Sequence, residues 1–173
     1  MRKLFASVLC LLALQGCSDD LTWRAVHHMI EATYPSVRSI STDSLAERLA
    51  DESRPRPVLL DARSPEEYAV SHLRGARRVD PTADAYPALD SLPPETPIVV
   101  YCSVGYRSAG VVQALQEQGF TAVANLEGSL FRWANEGRPV YRDGRRVEAV
   151  HPYNRRWGRL LTYSLQASLS TAP

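Results

Sequence analysis

Short unbroken apolar runs alternate along this chain with stretches in which apolar residues recur every three or four positions. Asp19 or Asp20 caps a helix over Leu21–Thr33 that gathers Trp23, Val26, Met29 and Ile30 on one face and stops at Tyr34-Pro35. Val37–Ile40 reads as a short strand, and Thr42 or Ser44 opens a helix that turns Leu45, Ala46 and Leu49 inward. The loop Ser53–Pro57 precedes Val58-Leu59-Leu60-Asp61, a continuous apolar strand of the kind found in a sheet covered on both faces. Ser64-Pro65-Glu66-Glu67 is a helix start, with Ser64 at the N-cap, Pro65 in the first helical position and Glu67 as the reciprocal cap. Gly75–Val79 is expected as a strand, and Tyr86–Leu92 as a helix ended by Pro93-Pro94. The run Pro97–Tyr101 forms a further strand, Ser108–Leu115 a helix closed at Gly119, Phe120–Leu126 a strand and Ser129–Glu136 a final helix before Gly137. Strands alternating with helices imply an α/β fold with a central parallel sheet and helices on both faces.

At 173 residues the chain suits one domain with short extras, and 45% hydrophobic and 23% charged residues are ordinary for a globular protein. A formal net charge of +1 gives no electrostatic footprint for nucleic acid, and no nucleic-acid partner is expected. The N-terminus differs from the rest. Arg2 and Lys3 precede the apolar stretch Leu4–Leu14, which is too short to span a bilayer as a stable helix. The sequence Leu14-Gln15-Gly16-Cys17 that follows resembles a bacterial lipoprotein signal. That resemblance implies that residues 1–16 are a signal peptide and that Cys17 is lipidated and anchors the chain to a membrane. Ser18 suits passage to the inner face of the outer membrane, facing the periplasm. The alternative is conventional cleavage at Ala13-Leu14-Gln15 and a soluble periplasmic protein. Of the three cysteines, Cys10 then leaves with the signal, Cys17 carries lipid, and Cys102 stands unpaired in an oxidising compartment.

Cys102 sits where a buried strand meets a helix N-terminus. There, backbone N–H groups and the positive end of a helix dipole favour thiolate over thiol. The loop Cys102-Ser103-Val104-Gly105-Tyr106-Arg107 should wrap N–H groups from Ser103 to Arg107 around the sulfur, with Gly105 permitting the tight turn. Arg107 either binds the anionic group of a substrate or forms a structural ion pair, with Asp61 or a glutamate. No histidine is spaced near the loop to serve as a base. His27 and His28 are adjacent and fall on different helix faces, so no metal site is expected there.

Taken together, several motifs resemble the rhodanese family of sulfurtransferases in its small single-domain form. Leu59-Leu60-Asp61-Ala62-Arg63, Glu66-Glu67-Tyr68 and His72-Leu73-Arg74-Gly75-Ala76 follow that family's first half. Val99-Val100-Tyr101-Cys102 with Gly105, Arg107 and Ser108 resembles its active-site loop, and Leu126-Glu127-Gly128, Trp133 and Gly137-Arg138-Pro139-Val140 its closing segment. The resemblance implies a single rhodanese-like domain over residues 36–141, preceded by a helix and linker over 17–35 and followed by an extension over 142–173. It implies a sulfurtransferase in which Cys102 takes a sulfane sulfur from a small donor as a persulfide and passes it to a thiol or cyanide. Ser103, Val104, Gly105, Tyr106, Arg107 and Ser108 would bind substrate, and Asp61 and Arg63 would support the site as a strand-end ion pair. No cofactor is implied, and no protein partner is named. Two other readings stay open, a rhodanese-fold binding or sulfur-delivery module and a structural lipoprotein whose thiol is incidental. Cysteine phosphatases carry Cys-x5-Arg, one residue longer than the spacing here.

Ser71, Arg74 and Ser129 depart from residues usual in the family, and none is expected to touch the nucleophile. Ser103 stands where members favouring thiosulfate often carry a basic residue, so thiosulfate itself is not implied as the donor. Beyond the domain, Val150–Leu161 is rich in aromatic and basic residues. It reads as an extension packed across the domain, as a lid over the site, or as a stretch resting on the membrane.

Overall fold

The computed structural model describes residues 21–168. The signal segment, Cys10 and Cys17 therefore lie outside the described residues. Helix α1 covers residues 21–33. It is followed by β1 (Ser39–Ile40), α2 (Thr42–Ala50), β2 (Val58–Asp61), α3 (Pro65–Val70), β3 (Arg77–Arg78), β4 (Ile98–Tyr101), α4 (Tyr106–Glu117), β5 (Val123–Leu126) and α5 (Ser129–Asn135). A hairpin of β6 (Val140–Arg142) and β7 (Arg145–Val147) leads into an irregular tail with short 3-10 turns at Trp157–Leu160 and Tyr163–Leu165.

Five strands form one parallel sheet in the order β1-β5-β4-β2-β3. The alternation of side chains along β4 assigns its two faces. Val99 and Tyr101 enter one apolar cluster with Leu45 of α2, Leu130, Phe131 and Trp133 of α5, and Val26 and Ile30 of α1. Ile98 and Val100, continued by Cys102, enter the other with Val111, Val112 and Leu115 of α4. The sheet is thus covered on both faces, as its unbroken apolar strands require.

Local chemistry fixes the element starts. Ser64 Oγ accepts the Glu67 N–H at 3.2 Å while the Glu67 carboxylate accepts the Ser64 N–H at 3.0 Å, a reciprocal cap at α3 with Pro65 in its first turn. Ser41, ahead of Thr42 and Ser44, caps α2.

The structure departs from the sequence expectation in several elements. Tyr86–Leu92 forms only a 3-10 turn at Pro87–Leu89, whose Leu89 is buried against the α4 face of the sheet. Two prolines close behind Leu92 leave no room for a longer helix. The strand expected over Gly75–Val79 shrinks to Arg77–Arg78 at the sheet edge. Helix α4 begins at Tyr106, two residues early, because Gly105 at φ +113° turns the chain directly into it. The hairpin β6–β7 was not anticipated, since its turn Asp143-Gly144 lies between short strands that show no apolar alternation. His27 and His28 each reach the Glu31 carboxylate, from i,i+4 and i,i+3.

Candidate active site

Strand order creates the site. The chain leaves β2 toward β3 on one side and leaves β4 toward β5 on the other, so a crevice opens at the carboxyl ends of β2 and β4. Asp61 ends β2 opposite Tyr101, and Cys102 follows immediately. Helices α3 and α4 start on either side of this crevice and bring Glu67 and Arg107, forty positions apart, into contact.

Cys102 is a free thiol, 1% exposed. The Gly105 N–H points at its Sγ from 3.1 Å. A side chain at Gly105 would need the left-handed backbone and would press on Ile30 of α1 at 3.2 Å. Burial, the largest influence, pushes the thiol pKa up. Arg107 and the groups of Ser108 and Gly105 together outweigh it, so the sulfur is held below its ordinary value. Asn125 donates Nδ2 to the Gly105 carbonyl at 3.0 Å and accepts the Ser108 hydroxyl at 2.7 Å. The single Ser108 hydroxyl proton is thereby engaged, so N–H groups and Arg107 carry most of the stabilisation of a sulfur anion.

The Arg107 guanidinium lies against Glu67. Its Nη1 and Nη2 donate to the two carboxylate oxygens at 2.7 and 2.8 Å, and Nη2 also donates to Ser103 Oγ at 2.9 Å. Ser103 in turn donates to Glu67 at 2.7 Å. Burial pushes the Glu67 carboxyl up, but Arg107 and the hydrogen bonds from Ser64 and Ser103 hold it at about 2. The stabilisation from this depressed pKa is complete above the ordinary carboxylate range and is lost as pH falls toward about 2. Behind the crevice, Asp61 and Arg63 form a fully buried bidentate pair at 2.9 and 2.7 Å. Arg63 also donates to the Ser71 carbonyl at 2.5 Å.

A Rhodanese-like domain family model matches residues 41–136, more than half of the chain. The chain belongs to the rhodanese-like domain family. A sulfurtransferase of Allochromatium vinosum is 33% identical over 104 residues, covering 60% of this chain and 94% of that protein. The thiosulfate sulfurtransferase GlpE of Actinobacillus pleuropneumoniae is 35% identical over 84 residues, covering 48% of this chain and 76% of its own. The crystal structure of a rhodanese-like domain protein from Staphylococcus aureus superposes with a TM-score of 0.52 at 31% identity, covering 62% of this chain and 99% of that one.

In this rhodanese domain Ser103, Val104, Tyr106 and Arg107 line the cavity together with Cys102, and groups of Gly105 and Ser108 lie against the sulfur. Three details differ. The expected ring of N–H groups from Ser103 to Arg107 is carried at the sulfur by Gly105 and Ser108. Arg107 takes the ion-pair alternative, with Glu67 and not Asp61 as its partner. Ser129, expected to stand apart from the nucleophile, accepts the Cys102 backbone N–H with its Oγ at 3.1 Å. Ser129 does so from the left-handed backbone at φ +52°, while its own proton goes to the Leu126 carbonyl. A glycine there would meet the backbone requirement but not supply the acceptor.

Sequence reasoning missed the second role of Glu67, as the partner of Arg107 and Ser103. It also missed His151, which the tail brings among the charges of Glu67, Arg63, Glu66 and Arg107; burial, foremost, lowers its pKa. Met29, Tyr153 and Trp157 complete the cavity wall, and nothing in local sequence marks them as neighbours of Cys102.

Proposed function

We propose that this rhodanese-family sulfurtransferase carries sulfane sulfur on Cys102 as a persulfide. The carrying observation is a buried, acidified thiol at the carboxyl end of β4, with the Gly105 N–H aimed at its sulfur. The thiol loses its proton to solvent before the donor arrives. The thiolate attacks the donor's outer sulfur; a sulfur–sulfur bond forms to Cys102 while the donor's own bond to that sulfur breaks, and the leaving group departs with the electron pair. An acceptor thiolate or cyanide then attacks the outer sulfur, and Cys102 leaves as thiolate. No oxidant or cofactor enters the balance.

Intact-protein mass spectrometry before and after exposure to a sulfane donor tests this. The expected result is a gain of one sulfur, removed by cyanide and absent in Cys102→Ser. A gain that persists in the Ser variant would reject Cys102 as the carrier.

We further propose that Cys17 is lipidated and holds the domain at the periplasmic face of the outer membrane. Among the described residues no helix is long and apolar enough to cross a membrane, so attachment would rest on the lipid. Cys17→Ser should move the protein from the membrane to the soluble fraction after cell lysis; retention in the membrane would reject the anchor.

A further inference from the structure

The cavity above Cys102 takes its floor from the active-site loop, but part of its wall comes from outside the segment that matches the family. Met29 comes from α1, and Tyr153 and Trp157 come from the tail, whereas the family match ends at residue 136. These walls are fastened. Val150, Leu160 and Leu161 are buried in the same cluster as Val26 and Ile30 of α1. The Gln166 side chain donates to the carbonyls of Gly158 and Leu161 at 2.8 and 2.9 Å, and Asn135 of α5 donates to that of Leu160 at 2.8 Å. Asn154 Oδ1 accepts the Trp157 N–H at 3.0 Å and sets the turn that presents the indole.

The chemistry inside the cavity is apolar and its charge is already balanced. Arg107 is the one cation among the described residues that line it. Both terminal nitrogens of Arg107 are committed to Glu67, and its guanidinium carbon lies 4.7 Å from the centre of the Tyr153 ring. Ser103, where a free cation would help an inorganic anion, is buried and bonded to the same carboxylate. A dianion such as thiosulfate would lose its hydration here without gaining an unshared positive charge. The cavity, about 190 Å³, is instead large enough for a ring, since apolar cavities of about 150 Å³ accept benzene.

We propose that this cavity selects sulfur donors bearing an aromatic or aliphatic group, thiosulfonates or organic persulfides, over inorganic thiosulfate. The inference rests on Cys102 as the sulfur carrier. With benzenethiosulfonate, the Cys102 thiolate forms a bond to the outer sulfur, the sulfonyl–sulfur bond breaks, and benzenesulfinate leaves with the electron pair. Trp157 and Met29 hold the ring beside the sulfur, and Tyr153 covers the face of Arg107.

The test compares kcat/KM for benzenethiosulfonate and thiosulfate, with cyanide as acceptor, in the full chain and in Trp157→Ala, Met29→Ala and Trp157→Phe. The intrinsic reactivity of the two donors cancels when the ratio in a variant is divided by that of the wild type. Each alanine variant should lower the ratio about tenfold, through KM for benzenethiosulfonate, and Trp157→Phe should retain it within about threefold. Met29, 38% exposed, offers a substitution that spares the core if Trp157→Ala fails to fold. Ratios unchanged in both alanine variants, with sulfur transfer intact, would overturn the cavity assignment alone. Failure of both donors to place sulfur on wild-type Cys102 would overturn the carrier reading and this inference with it.

Discussion

A buried sulfur anion needs compensation from its neighbours, and at Cys102 that compensation comes from one guanidinium, nearby N–H groups and a helix start. Because its pKa is lowered, the reactive thiolate persists to lower pH than for a free cysteine, and the rate of thiol modification should rise through that lowered value and then level off. Arg107→Ala removes the principal influence opposing burial, so the inflection should move upward, read from the pH dependence of Cys102 alkylation. An unmoved inflection would assign the acidification to the backbone alone. The cysteine and its loop were legible in sequence because strand, loop and helix are contiguous there. The partner of Arg107 was not legible. Asp61 and several glutamates were equally available on charge, and only the packing of α3 against α4 brings Glu67 within 2.7 Å.

At the scale of elements, caps and strand ends were readable wherever the signal was local. Ser64-Pro65-Glu66-Glu67 forms the reciprocal cap that the motif describes, and Val58–Asp61 forms β2 as expected. Tyr86–Leu92 misled because helical spacing over seven residues cannot outweigh two following prolines and one side chain, Leu89, drawn into the core. The Asp61–Arg63 pair at the end of β2 is buried on all sides, and its two parallel hydrogen bonds neutralise a guanidinium that water cannot reach. Asp61→Asn leaves that charge unpaired. It should cost about 3–5 kcal/mol of unfolding free energy, measured by urea titration. A loss well under 1 kcal/mol would mean that the Ser71 carbonyl and relaxation of the loop compensate.

For the whole molecule, α1 and the tail share a core with the sheet, although both lie outside the family's matched segment. Leu161 is 2% exposed in that shared core. Leu161→Ala should destabilise the protein by about 2–5 kcal/mol and leave a single cooperative unfolding transition. A separate early transition for the tail would show that it folds independently of the domain. Of the three sequence readings of the tail, packing across the domain is what the contacts show, and the same packing places Tyr153 and Trp157 beside the site.

The sequence by itself determined the α/β alternation, the identity of the nucleophile candidate and the left-handed turn at Gly105, because each follows from neighbouring residues and backbone sterics. Tertiary structure alone decided the Glu67–Arg107 pair, the Ser129 bond to Cys102 and the aromatic wall from the tail. Each of these joins residues more than twenty-five positions apart. Which distant groups meet depends on how strand order, helix packing and the buried tail share one core, and no local spacing encodes that.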